Sequence, residues 1–445
     1  MGLTEIIIVI ASLVTVHAAG AFGSRRGRSD FLLAERSMSL PLLVATLVAT
    51  WYGAVLASGE FVMRYGVVFI LCFGVPYYLV AVAYAGWLSG RIRSGMAASI
   101  PERIGHVHGP AARRLAAALL LVITVPASYQ LMLGYVFVHL TGMPLSASIL
   151  VSTVISIAYV AVGGLRSDAY ANVIQVVLMY GGMLALTIAA VTYTGQADPE
   201  VSLVSTELFN VPGTLGWAGI AGWWIIAMQT FIDPTIYVRT ASASNESIAR
   251  KAILWSVVCW VVFDVLQLIS GLAAAQHVPS SEITTSYLAL SQIVLPPWGR
   301  GLVLAGIIAA VSSTLNGYAL ASATALADEV LPALRPEISE WGGRYRVGLA
   351  LTVMLGAVIA IVVPSIIDLI FGAASIVVSA LLIPTLVSHT RHAPLFTSSI
   401  LSAMLLPATA AAWALLSQTA QPALVGIGTS LMLHSALWLK GKHRS

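Results

Sequence analysis

Charge is scarce in this chain. Asp, Glu, Lys and Arg make up 9% of its 445 residues, against about 25% in soluble globular domains. A soluble fold is excluded on that ground. Cysteine is scarcer still. Cys72 and Cys259 are the only two, and both lie inside apolar runs, so a disulfide scaffold or a cysteine metal centre is not expected. No P-loop is present, which argues against direct coupling to ATP. No cluster of acids, histidines or paired nucleophile and base falls at membrane depth, which argues against an integral-membrane enzyme. No stretch between apolar runs is long enough to fold as a soluble domain. His106, His108, His389 and His392 are expected in cytoplasmic loops, solvated, with no metal-binding spacing. The net charge of +4 reflects membrane topology and gives no reason to expect nucleic acid.

Apolar runs are what the chain has instead. They recur along its whole length, each long enough to cross about 30 Å of hydrocarbon as a helix. The expected class is all-α, a polytopic membrane protein of about thirteen helices. They are placed near 4–22, 40–64, 67–90, 112–140, 144–163, 168–192, 213–238, 250–275, 297–327, 344–364, 366–389, 393–417 and 420–440. The first run lacks a basic segment ahead of it, and Arg25, Arg26 and Arg28 follow it. It therefore reads as a retained helix with its N-terminus outside rather than a signal peptide. With that orientation, all 22 Lys and Arg but Arg64 and Arg300 fall on the cytoplasmic side, Arg166 and Arg239 among them. The longest outer loop, 193–212, carries Asp198, Glu200 and Glu207 and no basic residue. These points describe an integral protein of the bacterial inner (cytoplasmic) membrane, N-terminus periplasmic and C-terminus cytoplasmic. Its surroundings are the lipid bilayer, with no obligate protein partner inferred.

Within the ninth run, Ser312, Ser313 and Thr314 bring adjacent hydroxyls, and Asn316 follows. Two readings are open. The hydroxyls can bond back to their own helix, or they can point into the bundle and coordinate a cation such as Na+. In the second run, Thr50, Gly53, Ser58 and Gly59 cluster at the middle. A break there would free carbonyls to line a cavity or bind an ion; close helix packing through small residues is the other reading. Spans two to six and seven to eleven form two groups of five whose leading helices start on opposite sides, the order of an inverted repeat. The chain is then one transporter-like domain, 1–445, with an extra helix at 4–22, repeats at 40–192 and 213–389, and two further helices at 393–440.

Several motifs in order carry a family resemblance over residues 40–390. They are Ala49-Thr50-Trp51-Tyr52, Gly163-Gly164-Leu165-Arg166 followed by Asn172-Val173-Ile174-Gln175, Asp233-Pro234-Thr235-Ile236-Tyr237-Val238-Arg239, and Ala309-Ala310-Val311-Ser312-Ser313-Thr314 with Asp328 downstream. The chain resembles the sodium/solute symporter family. The resemblance implies a fold of the leucine-transporter type, two inverted five-helix repeats whose first helices are broken. It implies one Na+ between the second and ninth spans, held by the carbonyls of Ala49, Tyr52 and Ala310 and the hydroxyls of Ser313 and Thr314. Where the family usually has Thr-Asp before Val-Ile-Gln, this chain has Ala171-Asn172. Asn172 keeps an acceptor oxygen and loses the charge, which bears on coupling and weakens a second cation site. Asp168, one turn away, is expected near the cytoplasmic end and not as a substitute.

The solute pocket is expected at mid-membrane between the broken helices, from Trp51, Val55, Leu56, Tyr77, Tyr78, Trp224, Met228 and Gln229. Glu60 and Arg64, four apart, are expected to pair at the outer vestibule. Asp264 is expected to make a structural hydrogen bond inside the bundle, and Asp368 to sit at a helix start. The combined expectation is a secondary active transporter: Na+-coupled symport of a small polar organic solute into the cytoplasm by alternating access. Two alternatives share the fold, an H+-coupled symporter and a solute sensor without net transport.

Overall fold

The computed structural model describes residues 2–23, 27–195, 207–390, 397–418 and 421–442. Arg25, Arg26, Asp198, Glu200, Arg391, His392 and Arg444 lie outside the described residues. The remainder is helical because backbone amides in hydrocarbon have no water to bond, and a helix satisfies them within one segment. Twelve helices among the described residues are long and apolar enough to cross a membrane, and a thirteenth apolar helix is shorter. In chain order they are α1 (Leu3–Gly23), α2 (Leu40–Tyr65), α3 (Ile70–Trp87), α4 (Pro110–Thr141), the short α5 (Leu145–Ile157), α6 (Val160–Thr192), α7 (Gly213–Ser242), α8 (Glu246–His277), α9 (Pro297–Val330), α10 (Trp341–Val362), α11 (Ile366–Ser388), α12 (Ser399–Ser417) and α13 (Pro422–Leu439). This is an integral membrane protein.

Helix α9 is the axis of the bundle. Nearly all of its apolar window is buried, and it packs on α1, α2, α4, α6 and α10. Its small residues, Gly301, Ala305, Gly306, Ala309 and Ala310, let neighbours approach closely where lipid offers no hydrophobic drive between helices.

Helices α4, α2 and α7 are interrupted within their spans, each for a local reason. In α4, Pro126 removes a donor and drives Val125 to an extended ψ of 113°, so the helix kinks between Thr124 and Ala127. In α2, a 3-10 turn at Tyr52–Ala54 separates Leu40–Trp51 from Val55–Tyr65. In α7, a 3-10 turn at Met228–Phe231 leads to Asp233, which caps the second half Pro234–Ser242. The Asp233 carboxylate accepts from the amides of Thr235 at 2.8 Å and Ile236 at 3.0 Å, and Pro234 at the first helical position has no amide to orphan.

Between α5 and α6 the chain turns without a loop. The sixth span, expected from 168, begins at Val160, and its first turn is divided from the rest by Gly164 at φ 60° and ψ −149°. No residue with a Cβ adopts that conformation without strain, and a Cβ here would stand 2.4 Å from the Phe31 carbonyl oxygen. The approach of Phe31 is fixed by Arg166, whose guanidinium reaches Asp30 at 2.5 Å, the Ala34 carbonyl at 2.8 Å and Ser37 at 3.0 Å. Arg166 is buried, not solvated in a loop as its place in the charge count suggests.

His108 and His389 are likewise buried, against the expectation of solvated loop histidines. The segment after α3 packs back on the bundle with His108, and His389 caps the end of α11, its Nδ1 3.0 Å from the Thr385 carbonyl, which the sequence distance from a span end does not reveal. Cys72 and Cys259 are free thiols.

Gly164→Ala should destabilise the protein by the strain of a disfavoured backbone conformation, about 1–3 kcal/mol, plus the overlap with Phe31. Thermal unfolding of the purified variant in detergent measures this. A midpoint equal to the parent's would show that the turn relaxes freely.

Candidate functional site

The break in α2 meets α9 at one contact. The Thr314 hydroxyl donates to the carbonyl of Thr50 at 2.7 Å, and lies 3.3 Å from the Ala310 carbonyl of its own helix. Gly53 lies against it: a Cβ on Gly53 would stand 2.3 Å from both Cβ and Oγ1 of Thr314. The absent side chain is what lets the two helices touch. Ser313, beside it, donates to Asn172 Oδ1 at 2.7 Å and lies 3.2 Å from the Thr50 hydroxyl. Ala49, Tyr52, Ala310, Ser313 and Thr314 are all buried.

Both hydroxyls therefore use their single protons on neighbours. A hydroxyl that donates keeps two lone pairs. Two such oxygens, with carbonyls freed by a 3-10 turn, make a neutral oxygen set suited to a weakly polarisable monovalent cation. No group of three or more His, Cys, Asp or Glu with metal-holding geometry occurs among the described residues, so a transition-metal reading gains nothing.

Beneath this contact runs a polar chain. Arg239 Nη2 pairs with Asp168 Oδ2 at 2.6 Å, Nε donates to Thr46 at 2.9 Å and Nη1 to the Thr235 carbonyl at 3.2 Å. Asn172 Nδ2 donates to Thr46 at 2.6 Å and to Asp168 at 3.0 Å. The amide orientation follows from its partners: nitrogen toward the carboxylate, oxygen toward the Ser313 hydroxyl. Asp168 and Arg239 are fully buried.

This corrects one expectation and adds to another. Arg239, expected among the cytoplasmic loop charges, is buried, and Asp168, not expected to stand in for a carboxylate at 172, bonds Asn172 and Arg239 directly. The second half of α7 carries Arg239 back into the bundle, and α6 starts early enough to bring Asp168 to it. Charge counting along the chain cannot see an ion pair 71 residues apart.

Adjacent lies a central cavity of about 90 Å³. Of the expected pocket residues, Trp51, Tyr77 and Gln229 line it. Val55 and Leu56 pack in the core instead. Tyr78 turns away and donates a short hydrogen bond to Asp264. Trp224 and Met228 point outward, 40% and 38% exposed; Trp224 lies five residues before Gln229, about 140° round a helix. Sequence reasoning did not single out Tyr129, Asp233 or Tyr318 for the pocket, and all three line it. Asp233-Pro234 was a usable signal, since that pair starts a helix. Tyr129 and Tyr318 gave none.

Aromatic rings pack against one end of the cavity, and a second, larger space adjoins the other. Phe73 on its wall joins a cluster with Phe61, Trp223 and Phe371; Phe61 and Phe73 lie 5.0 Å apart, Phe73 and Trp223 4.5 Å, Trp223 and Phe371 5.3 Å between ring centres. Beyond this plug Glu60 pairs with Arg64 at 2.7 Å and accepts from Thr284 at 3.3 Å. At the arginine-rich end a vestibule of about 480 Å³ begins. It shares Thr235 and Arg239 with the central cavity. Its mouth carries two ion pairs, Arg28 with Asp328 at 2.8 Å and Arg113 with Glu329 at 2.5 Å.

Comparisons with known proteins agree with this architecture. The profile of the Sodium:solute symporter family matches residues 31–390. The sodium/pantothenate symporter of Escherichia coli is 24% identical over 387 residues, covering 81% of this chain and 79% of that protein. The sodium/proline symporter of Haemophilus influenzae is 25% identical over 302 residues, covering 60% of this chain and 59% of that protein. The solved structure of a Na+-coupled sialic acid symporter, in a substrate-bound outward-open state, superposes with a TM-score of 0.80. It covers 97% of this chain and 96% of its own at 14% sequence identity, a likeness of fold.

Removing either partner of the Asp168–Arg239 pair leaves a buried charge unanswered. Asp168→Asn and Arg239→Gln should each cost about 3–5 kcal/mol. The double variant should cost less than the sum of the two, with a coupling of about 0.5–3 kcal/mol. Unfolding of all four proteins in detergent closes the cycle, and strict additivity would show that the two side chains do not interact.

Proposed function

The chain belongs to the sodium:solute symporter family, a family of Na+-coupled carriers of small solutes and not of enzymes, and from that premise we propose that it imports a small polar organic solute into the cytoplasm together with Na+. The observation that carries this reading is the Thr314 contact. One hydroxyl bridges the broken α2 and the intact α9 while keeping its lone pairs free. A cation seated between the Ala49, Tyr52 and Ala310 carbonyls and the Ser313 and Thr314 hydroxyls would tie the two helices together. Its loss would release them. Asn172 couples to that position through Ser313.

Alternating access needs two arrangements with different affinities for ion and solute. In this reading the aromatic plug on one side and the open vestibule on the other belong to the inward-facing one. In this reading Na+ and solute leave past Thr235 and Arg239 into the vestibule. The membrane is the bacterial cytoplasmic membrane, with the N-terminus periplasmic and the vestibule at the cytoplasmic face. Helices α2–α6 and α7–α11 then form two inverted five-helix repeats, which the paired breaks in α2 and α7, the first helix of each group, support.

Ser313→Ala and Thr314→Val each delete one proposed ligand. Loss of a helix hydrogen bond alone averages about 0.6 kcal/mol, a factor of about three in an apparent constant. Loss of an ion ligand should raise the Na+ concentration for half-maximal uptake well beyond that, with partial recovery at saturating Na+. An unchanged Na+ dependence in both variants would take the ion off this helix.

Orientation is checked separately, in a background lacking Cys72 and Cys259. Cysteine at Thr141 should react with an impermeant reagent from outside intact cells, and cysteine at Ser244 only after permeabilisation. The reverse pattern would overturn the orientation.

A further inference from the structure

The central cavity joins walls of aromatic rings to a carboxylate that no cation answers. We propose that its occupant is a small organic cation, a solute bearing an ammonium nitrogen, recognised by Asp233 and by the ring faces around it. This rests on the reading of the chain as a solute carrier and narrows what is carried.

Two charged residues line the cavity among those described, Asp233 and Arg239. They are not equivalent. The guanidinium of Arg239 is already matched by Asp168 at 2.6 Å. Asp233 has no Lys, Arg or His within ion-pair distance among the described residues, and it is 95% buried, with 5% of its surface exposed. Its donors are neutral. The amides of Thr235 and Ile236 and the Thr235 hydroxyl, at 2.5 Å, all fall on Oδ1. Oδ2 accepts only from the Tyr318 hydroxyl, at 2.6 Å, and retains lone-pair capacity. Helix capping accounts for one oxygen of this carboxylate and leaves the other to Tyr318, which lines the cavity with it.

The rings around it are held in place by one another. Trp51 is stacked on Trp260 at 4.4 Å and 19°, and Tyr77 meets Trp51 edge-on at 5.2 Å and 80°. Tyr129 is stacked on Tyr318 at 5.4 Å and 18°. Phe73 completes the wall. Ring faces carry partial negative charge and attract ammonium groups, most strongly where water is excluded. They give a bare Na+ few oxygen ligands, and an anion would face Asp233 with its own charge. A cationic nitrogen satisfies both the carboxylate and the rings.

Pairs of probes that differ only in charge test this. They are choline against 3,3-dimethyl-1-butanol, ethanolammonium against 1-propanol, and glycine betaine against 3,3-dimethylbutanoate. Each is titrated with Na+ present into the purified full-length protein in nanodiscs, following tryptophan fluorescence and thermal stability. In at least one pair the cationic or zwitterionic member should bind about tenfold or more tightly than its isostere. That preference should vanish in Asp233→Asn. Asn caps a helix about as well as Asp, so the variant should keep its fold, which its thermal midpoint verifies. Trp51→Leu should weaken the cationic probes more than their isosteres.

Binding blind to charge in every pair, or no binding of any probe, overturns the proposal. So does an Asp233→Asn variant that alters only the Na+ titration without probes, because the carboxylate would then serve a second Na+. Charge-blind binding that still needs Na+ removes the substrate class and leaves the carrier intact. Binding indifferent to Na+, with Ser313→Ala also silent, removes the carrier reading itself.

Discussion

A helix inside hydrocarbon can stop pairing its own backbone only where another group takes over the pairing. In this protein that group is the Thr314 hydroxyl, 2.7 Å from the Thr50 carbonyl. Everything at the centre follows from it. The 3-10 turn at Tyr52–Ala54 is tolerable because Thr314 answers a carbonyl beside the break. Gly53 must be bare because Thr314 occupies the space a Cβ would fill. Helix α9 is buried along nearly all of its apolar window, where it presents Thr314 to the break. The second break, in α7, is made by different means: a carboxylate cap and a proline start a new helix where the old one ends. One break is held from outside and the other from within its own chain, so the two halves of the site need not be equally stiff.

The sequence made the helices legible, and the reason is physical. A chain with almost no charge and long apolar runs has one way to satisfy its backbone in lipid. The weakness at Gly53 was also visible, as a cluster of small and polar residues in an apolar span. The contact that exploits it required knowing that α2 crosses α9. Asp168 and Arg239 were legible as residues and illegible as a pair, because each was assigned by its distance from a span end. Trp224 and Met228 are expected in the pocket because they occupy the middle of the seventh span, but both side chains are exposed instead. Tyr129 and Tyr318 line the cavity from α4 and α9, and nothing local in either helix marks them.

The exchange at position 172 reads differently once the neighbours are in place. The charge absent from Asn172 stands one turn away on Asp168, neutralised by Arg239. Asn172 spans the gap, its nitrogen on the carboxylate and its oxygen on Ser313. A change in the ion pair therefore reaches Ser313 through one amide. A carboxylate at 172 would act on Ser313 directly; here the carboxylate is Asp168, paired with Arg239, and it reaches Ser313 through the Asn172 amide.

The open vestibule also sets how much water a closing motion would have to displace. A space of about 480 Å³ holds on the order of ten or more waters, each taking roughly 30 Å³ of liquid. Any motion that closes it must return those waters to the surrounding solution. Solutes too large or too well hydrated to enter favour that return, as excluded osmolytes favour compact states in general. For a carrier that alternates between two faces, a space of this size would tie their balance to osmotic pressure on the vestibule side.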